Sequence, residues 1–303
     1  MDVSLPLKDN IKVIITDSGL GGLSVHALLD KHLRSLNNIP NVELIFFNSL
    51  ASHDLGYNTM RSTKRKLNVF NNAVRAMLKL KPDIILIACN TLSALYPLTE
   101  ISKEIKIPVI SIIDLGIEMI PENVTDTTGN QVIIFGTETT IKSGIYKKKL
   151  MEHNFSENQI ISQACKNLES EIQINPKSKK VHSLIDRYVD EASHAITGDN
   201  NNVAAVLACT HYGYSKNIFE EKLSAKFGKE ISLLNPNEKM GKIINFKNNG
   251  NNTNRKRITN KVISRVDVTL DEMQNLDLLL SKDSPYVAKA LTNYVWDKNL
   301  FVV

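Results

Sequence analysis

The chain is predicted to be α/β, with two similar domains of mostly parallel sheet flanked by helices, and three observations carry that prediction. Apolar β-branched runs alternate with helical patterns along most of the 303 residues, which is the signature of successive βαβ units. The runs are continuous rather than broken by alternating polar residues, as in strands covered on both faces. The chain also repeats itself. Val13-Ile14-Ile15 followed by Thr16-Asp17-Ser18-Gly19 has a partner in Val132-Ile133-Ile134 followed by Phe135-Gly136-Thr137, and Leu86-Ile87-Ala88-Cys89-Asn90-Thr91 has one in Leu207-Ala208-Cys209-Thr210-His211. The repeat predicts pseudo-twofold related domains, 1–113 completed by 235–303 and 114–234, with the active site in a cleft that carries one cysteine on either side.

Residues 11–16 read as the first buried strand, followed by the glycine-rich turn 17–22 and a helix over 23–36. Such a turn aims backbone N–H groups above the sheet and suits an anion. Neither a dinucleotide-binding glycine spacing nor a Walker lysine is present, so a carboxylate fits as well as a phosphate. A strand over 42–47 leads into a long polar loop, 48–58, of the kind that lines sites. A helix over 61–79, a strand over 83–88, a helix over 91–105 and a strand over 108–112 complete the first half. The second half follows with a strand over 131–135, a helix over 142–153, a weakly patterned stretch 155–180 and a helix over 181–196. A loop at 198–202, a strand over 203–208 and a helix over 217–227 come next, and 231–235 either closes this sheet or crosses back to the first. After a polar low-complexity turn at 248–254, residues 258–268 and the helical segments 270–280 and 286–297 are expected to be decoration packed on the first domain.

Composition excludes several classes of function. Apolar content of 42% with 23% charged residues is that of a soluble globular protein, and no run reaches the roughly 18 apolar residues of a membrane span. The first ten residues show no secretory pattern. Three cysteines argue for reduced thiols in a cytoplasm rather than a disulfide framework. The net charge of +5 invites a nucleic-acid partner, but Lys64-Arg65-Lys66 and Lys147-Lys148-Lys149 fall in expected helices, where solvated faces account for them.

Buried cysteine is commonly inert packing, yet inert cysteines have no reason to recur at equivalent strand ends. A metal site needs three or four ligands, and only His211 is near either cysteine in sequence. A redox pair would sit in one Cys-x-x-Cys motif. Two opposed thiols suit the removal of a proton from one face of a carbon and delivery of another to the opposite face. Asp17 and Ser18, and Asn90 and Thr91, have a plainer use as helix caps.

Asp17-Ser18-Gly19-Leu20-Gly21-Gly22-Leu23-Ser24-Val25, Ala88-Cys89-Asn90-Thr91-Leu92-Ser93-Ala94 and Cys209-Thr210-His211-Tyr212 resemble, in order, the three signature motifs of glutamate racemases within the aspartate/glutamate racemase family. Residues 136–146 and Ala164-Cys165 are similar to weaker segments of the same family, and the likeness covers roughly the first 235 residues. The resemblance implies a racemase that needs no cofactor or metal and acts on glutamate or a similar amino acid. Cys209 would take the proton from the L-enantiomer and Cys89 from the D-enantiomer, assisted by His211 and Asp17 respectively. Ser18, Asn90, Thr91 and Thr210 would bind the substrate's carboxylate and ammonium groups, with Thr140 in addition. The product would serve peptidoglycan synthesis in a bacterial cytoplasm, and a homodimer is left open.

The chain departs from the family pattern at the substrate loop, where Pro-Tyr-Gly becomes Gly56-Tyr57-Asn58, placing Tyr57 and Asn58 against the substrate's side chain. It departs again where a glutamate supporting the histidine becomes Gln173. Cys165, without a counterpart in the repeat, reads as structural. A decarboxylase or isomerase of a small carboxylic acid and a non-catalytic binding protein are the rival readings.

Overall fold

The computed structural model describes residues 3–5, 8–37, 39–123, 130–197, 203–228, 231–246 and 257–303. The loop expected at 198–202 and the turn expected at 248–254 lie outside the described residues. From the N-terminus the elements are β1 (Val3–Leu5), β2 (Asn10–Asp17), α1 (Leu23–Ser35), β3 (Asn41–Asn48), α2 (Thr63–Lys79), β4 (Ile84–Ile87), α3 (Asn90–Leu95), α4 (Ile101–Glu104) and β5 (Val109–Ser111). There follow α5 (Ile112–Asn123), β6 (Gln131–Gly136), α6 (Glu138–Lys142), α7 (Ile145–Glu152), β7 (Ile160–Ala164), α8 (Leu168–Ile174), α9 (Lys179–Ser193), β8 (Val203–Ala208), α10 (Lys216–Phe227) and β9 (Ser232–Leu234). The chain ends with α11 (Pro236–Met240), β10 (Ile244–Phe246), β11 (Ile258–Ser264), α12 (Leu270–Leu280), α13 (Pro285–Thr292) and β12 (Val295–Trp296).

Two compact units result, Met1–Ile112 with Asn237–Val303 and Ile113–Pro236. The first holds a six-stranded parallel sheet in the order β12-β11-β3-β2-β4-β5 and a small parallel pair, β1-β10. The second holds a four-stranded parallel sheet in the order β7-β6-β8-β9. The α/β class therefore holds in both. β2, β4, β6 and β8 are buried almost throughout because helices cover both faces, which is why their sequences are continuous apolar runs.

One connection pattern serves both units. The chain leaves β2 for β3 on one side, then returns through α2 to β4 on the other; it leaves β6 for β7, then returns through α8 and α9 to β8. Where two such connections diverge, a crevice opens above the carboxyl ends of the strands. Those ends are β2 with β4 in one unit, and β6 with β8 in the other.

Several expected elements are corrected. The helix expected over 91–105 is broken into α3, a 3-10 turn at Tyr96–Leu98 and α4, because Pro97 has no N–H to give and Thr99 is extended at ψ 153°. The helix expected over 142–153 starts only at Ile145, since Gly144 adopts a left-handed φ of 66° that separates α6 from α7. The weakly patterned stretch 155–180 contains β7, an edge strand whose Ser162 and Gln163 break the apolar run. Residues 231–235 close the second sheet, as β9 pairs with β8. The segment expected as a helix over 286–297 ends at Thr292 and yields the edge strand β12.

The C-terminal segment is not decoration. β11 is an interior strand of the first sheet, hydrogen-bonded to β3 on one side and β12 on the other. Its end grips the loop that follows β3: Asn48 Nδ2 donates to Ser264 Oγ at 3.0 Å, and the Arg265 guanidinium donates to the Ala51 carbonyl and, through Nε, to that of Phe301 at 3.1 Å. The Phe301 ring sits 5.9 Å from that of Phe47, in the same apolar cluster as Phe70, Ile87 and Cys89. The second unit has its own cluster around Phe135, Leu207, Tyr212 and Phe219. No helix among the described residues is long and apolar enough to cross a membrane.

α1 is tied to this segment through buried polar groups. His26 Nε2 lies 2.8 Å from Asn260 Oδ1, Asn260 donates to Asp30 at 2.7 Å, and Asp30 also accepts from Ser284 at 2.6 Å and Arg34 at 2.8 Å. Burial lowers the pKa of His26 from 6.5 to about 4, against the opposing pull of Asn260 and Asp30. The unfolded chain therefore binds the proton more readily, and stability present above pH 6.5 is lost as pH falls toward 4. The urea midpoint is expected to fall over this window by an amount equivalent to roughly 3 kcal/mol. In His26→Gln, which keeps a donor for Asn260, that part of the pH dependence should disappear; an unchanged slope would show that another group controls acid unfolding.

Candidate active site

The first unit builds its site from the ends of β2 and β4. In register, Thr16 faces Ile87, and the Ala88 N–H donates to the Thr16 carbonyl at 2.9 Å, so Asp17 and Cys89 emerge side by side at the carboxyl edge. Cys89 is the N-cap of α3: its sulfur accepts the Leu92 N–H at 3.4 Å, a place more often given to a serine or aspartate oxygen. Asn90 and Thr91 form the buried first turn of that helix. Ser18 Oγ lies 3.1 Å from Cys89 Sγ, and the Ser18 N–H donates to Asp17 Oδ1 at 2.6 Å. α1 takes Gly22 as its N-cap without a side-chain bond, so neither Asp17 nor Ser18 serves as its cap. Gly22 is required for another reason, since a Cβ there would stand 2.8 Å from Asp17 Oδ2 and 3.2 Å from Ala88 Cβ.

Electrostatics hold this thiol protonated. Burial pushes the Cys89 pKa far up, and the Asp17 carboxylate pushes it further; the Ser18 hydroxyl and the Leu92 N–H pull the other way. Tyr57 packs in the same cluster with its ring edge against Phe70 at 6.3 Å. Its hydroxyl is buried without a hydrogen-bond partner among the described residues, and burial followed by the charge of a Cys89 thiolate raises its pKa. Asn58, next in sequence, is exposed.

The second unit repeats the construction with different chemistry. Gly136 at the end of β6 faces Ala208 at the end of β8, which brings Thr137 and Thr140 beside Cys209 and Thr210 at one edge. Thr137 caps α6, its Oγ1 3.0 Å from that of Thr140. Cys209, Thr210 and His211 are all buried, the last two in a 3-10 turn, Thr210–Ser215. His211 Nδ1 lies 3.9 Å from Cys209 Sγ, and its Nε2 lies 2.9 Å from Gln173 Oε1 on α8. Cys165 is buried in the apolar cluster, its backbone hydrogen-bonded to Gly136 and to Tyr212, and burial raises its thiol pKa.

Tyr146 was not singled out by residue type or spacing. Its buried hydroxyl would lie 2.8 Å from a Cβ at Gly116, so the missing side chain makes its room. Its pKa is raised by burial, then by Asp114, then by the charge of a Cys209 thiolate. The signal was present in the sequence only as the end of the 136–146 segment. Among the described residues, no group of three or more His, Cys, Asp or Glu side chains is arranged to hold a metal ion.

Residues 20–237 match the model of a protein family described as Asp/Glu/Hydantoin racemase. The chain is 29% identical over 230 residues to a glutamate racemase of Oceanobacillus iheyensis, covering 74% of each protein. It is 28% identical over 255 residues to that of Streptococcus mutans, covering 84% of this chain and 88% of the relative. Among solved structures it is similar to glutamate racemase from Francisella tularensis in complex with D-glutamate, with a TM-score of 0.70, 23% identity, and coverage of 91% and 95% of the two chains. It is likewise similar to glutamate racemase from Aquifex pyrophilus, with a TM-score of 0.61, 22% identity, and coverage of 91% and 97%.

The opposing neighbours of Cys89 predict opposite mutational signs. Alkylation of Cys89 in the native protein, followed by mass spectrometry of its peptide at fixed pH, should slow about threefold to tenfold in Ser18→Ala, which removes a donor to the thiolate. It should quicken by a similar factor in Asp17→Asn, which removes a like charge. Equal rates in all three proteins would show that burial alone governs this thiol.

Proposed function

The chain belongs to the Asp/Glu/Hydantoin racemase family, and on that premise we propose that it interconverts L- and D-glutamate by two-thiol proton transfer at the α-carbon, without a cofactor. The observation that supports this most directly is the recurrence of a cysteine at the carboxyl end of the strand beside the switch point in each unit, Cys89 after β4 and Cys209 after β8.

The mechanism requires the two thiols to meet opposite faces of one α-carbon. As a thiolate, Cys209 takes the α-proton of the L-enantiomer; the electron pair left on carbon delocalises into the carboxylate, and the Cys89 thiol delivers its proton to the other face. The reverse sequence starts from the D-enantiomer at Cys89. The protonated resting state of Cys89 suits the donor's part, with Ser18 and the Leu92 N–H in place to receive the thiolate it becomes. Asp17 assists Cys89, and His211 assists Cys209. Ser18, Asn90, Thr91, Thr140 and Thr210 bind the α-carboxylate and ammonium groups, and Tyr57 and Asn58 meet the side-chain end of the substrate. D-Glutamate made in this way supplies peptidoglycan synthesis in a cytoplasm.

In D2O, racemisation of L- or D-glutamate should be accompanied by α-deuterium incorporation, followed by circular dichroism and proton NMR. Cys89→Ala and Cys209→Ala should each lower the rate by at least about a hundredfold. Exchange with aspartate alone would reassign the substrate. No exchange with either enantiomer of either amino acid, in a folded protein, would sink the racemase reading and favour a binding role.

A further inference from the structure

The two thiols are served by unlike neighbours, and the Cys209 side carries a distinctive one. His211 presents Nδ1 to Cys209 Sγ at 3.9 Å, while its Nε2 is 2.9 Å from the side-chain oxygen of Gln173. A carbonyl oxygen has no proton to give, so Nε2 carries the hydrogen and donates it, and the neutral ring turns the lone pair of Nδ1 toward the sulfur. We infer that Gln173 is a positioning residue that selects this tautomer, so that His211 receives the Cys209 proton at Nδ1, and that it does so without adding a charge.

The transfer balances. The S–H bond breaks, an Nδ1–H bond forms, the electron pair stays on sulfur, and a thiolate stands beside an imidazolium whose Nε2–H still rests on Gln173. An amide oxygen supports that imidazolium only through its dipole, whereas a carboxylate in the same place would add a full opposite charge. The neutral support therefore favours the thiolate–imidazolium pair less than a carboxylate at the same place would.

Other titratable groups stand on the elements packed around the turn that carries the pair. Tyr212 shares its turn, and Tyr146 comes from α7; burial pushes both hydroxyls so far up that neither carries charge near neutrality. From α8 come Glu169, whose charge is felt at Cys165 and Tyr212, and Glu171, which is paired with Lys180 at 2.5 Å. α10 contributes Lys216, 3.9 Å from Glu220. The Nε2 contact is made by Gln173.

This inference rests on the racemase reading for its purpose, but its test needs no turnover. In the native full-length chain, long-range proton–nitrogen NMR of His211, assigned by comparison with His211→Gln, should show hydrogen on Nε2 and none on Nδ1 near neutral pH. Glutamine-to-methionine replacement at the same place, Gln173→Met, should mix the two tautomers. Iodoacetamide alkylation of Cys209, followed by mass spectrometry, should run about tenfold faster near neutral pH in Gln173→Glu, equivalent to one pH unit in the thiol profile. Hydrogen on Nδ1 in the wild-type protein overturns the inference outright, whatever the folding of the variants. An unchanged Cys209 profile in a folded Gln173→Glu protein overturns its electrostatic half. If tautomer and profile behave as expected while no amino acid is racemised, the site chemistry stands and the substrate assignment falls.

Discussion

The pairing of β2 with β4 is the constraint from which the candidate site of the first unit follows. Parallel register fixes Thr16 opposite Ile87, and one further backbone bond, from Ala88 to Thr16, sets where both strands stop. Asp17 and Cys89 are neighbours for that reason, and Ser18 bridges them, its N–H on Asp17 Oδ1 and its hydroxyl beside the Cys89 sulfur. Gly22 then allows the next turn to fold down over Asp17 at a distance where a Cβ would force a neighbour to shift. A carboxylate is thereby held where it opposes ionisation of the adjacent sulfur, while Ser18, one residue on, supports it. Position comes from the sheet, and reactivity from what the turn places on top of it.

The same scaffold in the second unit supports a different solution. β6 and β8 repeat the register logic, with Gly136 opposite Ala208. Yet the group beside Cys209 is an imidazole steadied by an amide, not a carboxylate beside a hydroxyl. The two similar units therefore supply equivalent positions without equivalent neighbouring groups, a carboxylate beside Cys89 and an imidazole beside Cys209.

Much of this was legible in the residues. Continuous apolar runs exposed β2, β4, β6 and β8 because strands covered on both faces cannot hide their composition. The cysteines and their flanking Asn-Thr and Thr-His pairs were legible because they recur at one offset. β7 was missed because an edge strand with Ser162 and Gln163 has no strong period, and the break in the helix after α3 was underweighted although Pro97 announced it. β11 looked like decoration because local pattern says nothing about which distant strand a segment will join. The contact of Gln173 with His211, 38 residues away, was legible through the family resemblance and not through any periodicity.

β11 has one more consequence, for synthesis of the chain. Its partner β3 lies 216 residues earlier, so the interior of the first sheet is complete only once residues 258–264 have been made. The second unit, contiguous from Ile113 to Pro236, has every strand it needs well before that. During translation the nascent protein therefore carries a finished middle and an unfinished beginning, with the N–H and C=O groups of β3 exposed along an open edge. Until β11 arrives, that edge is one with which another strand can pair.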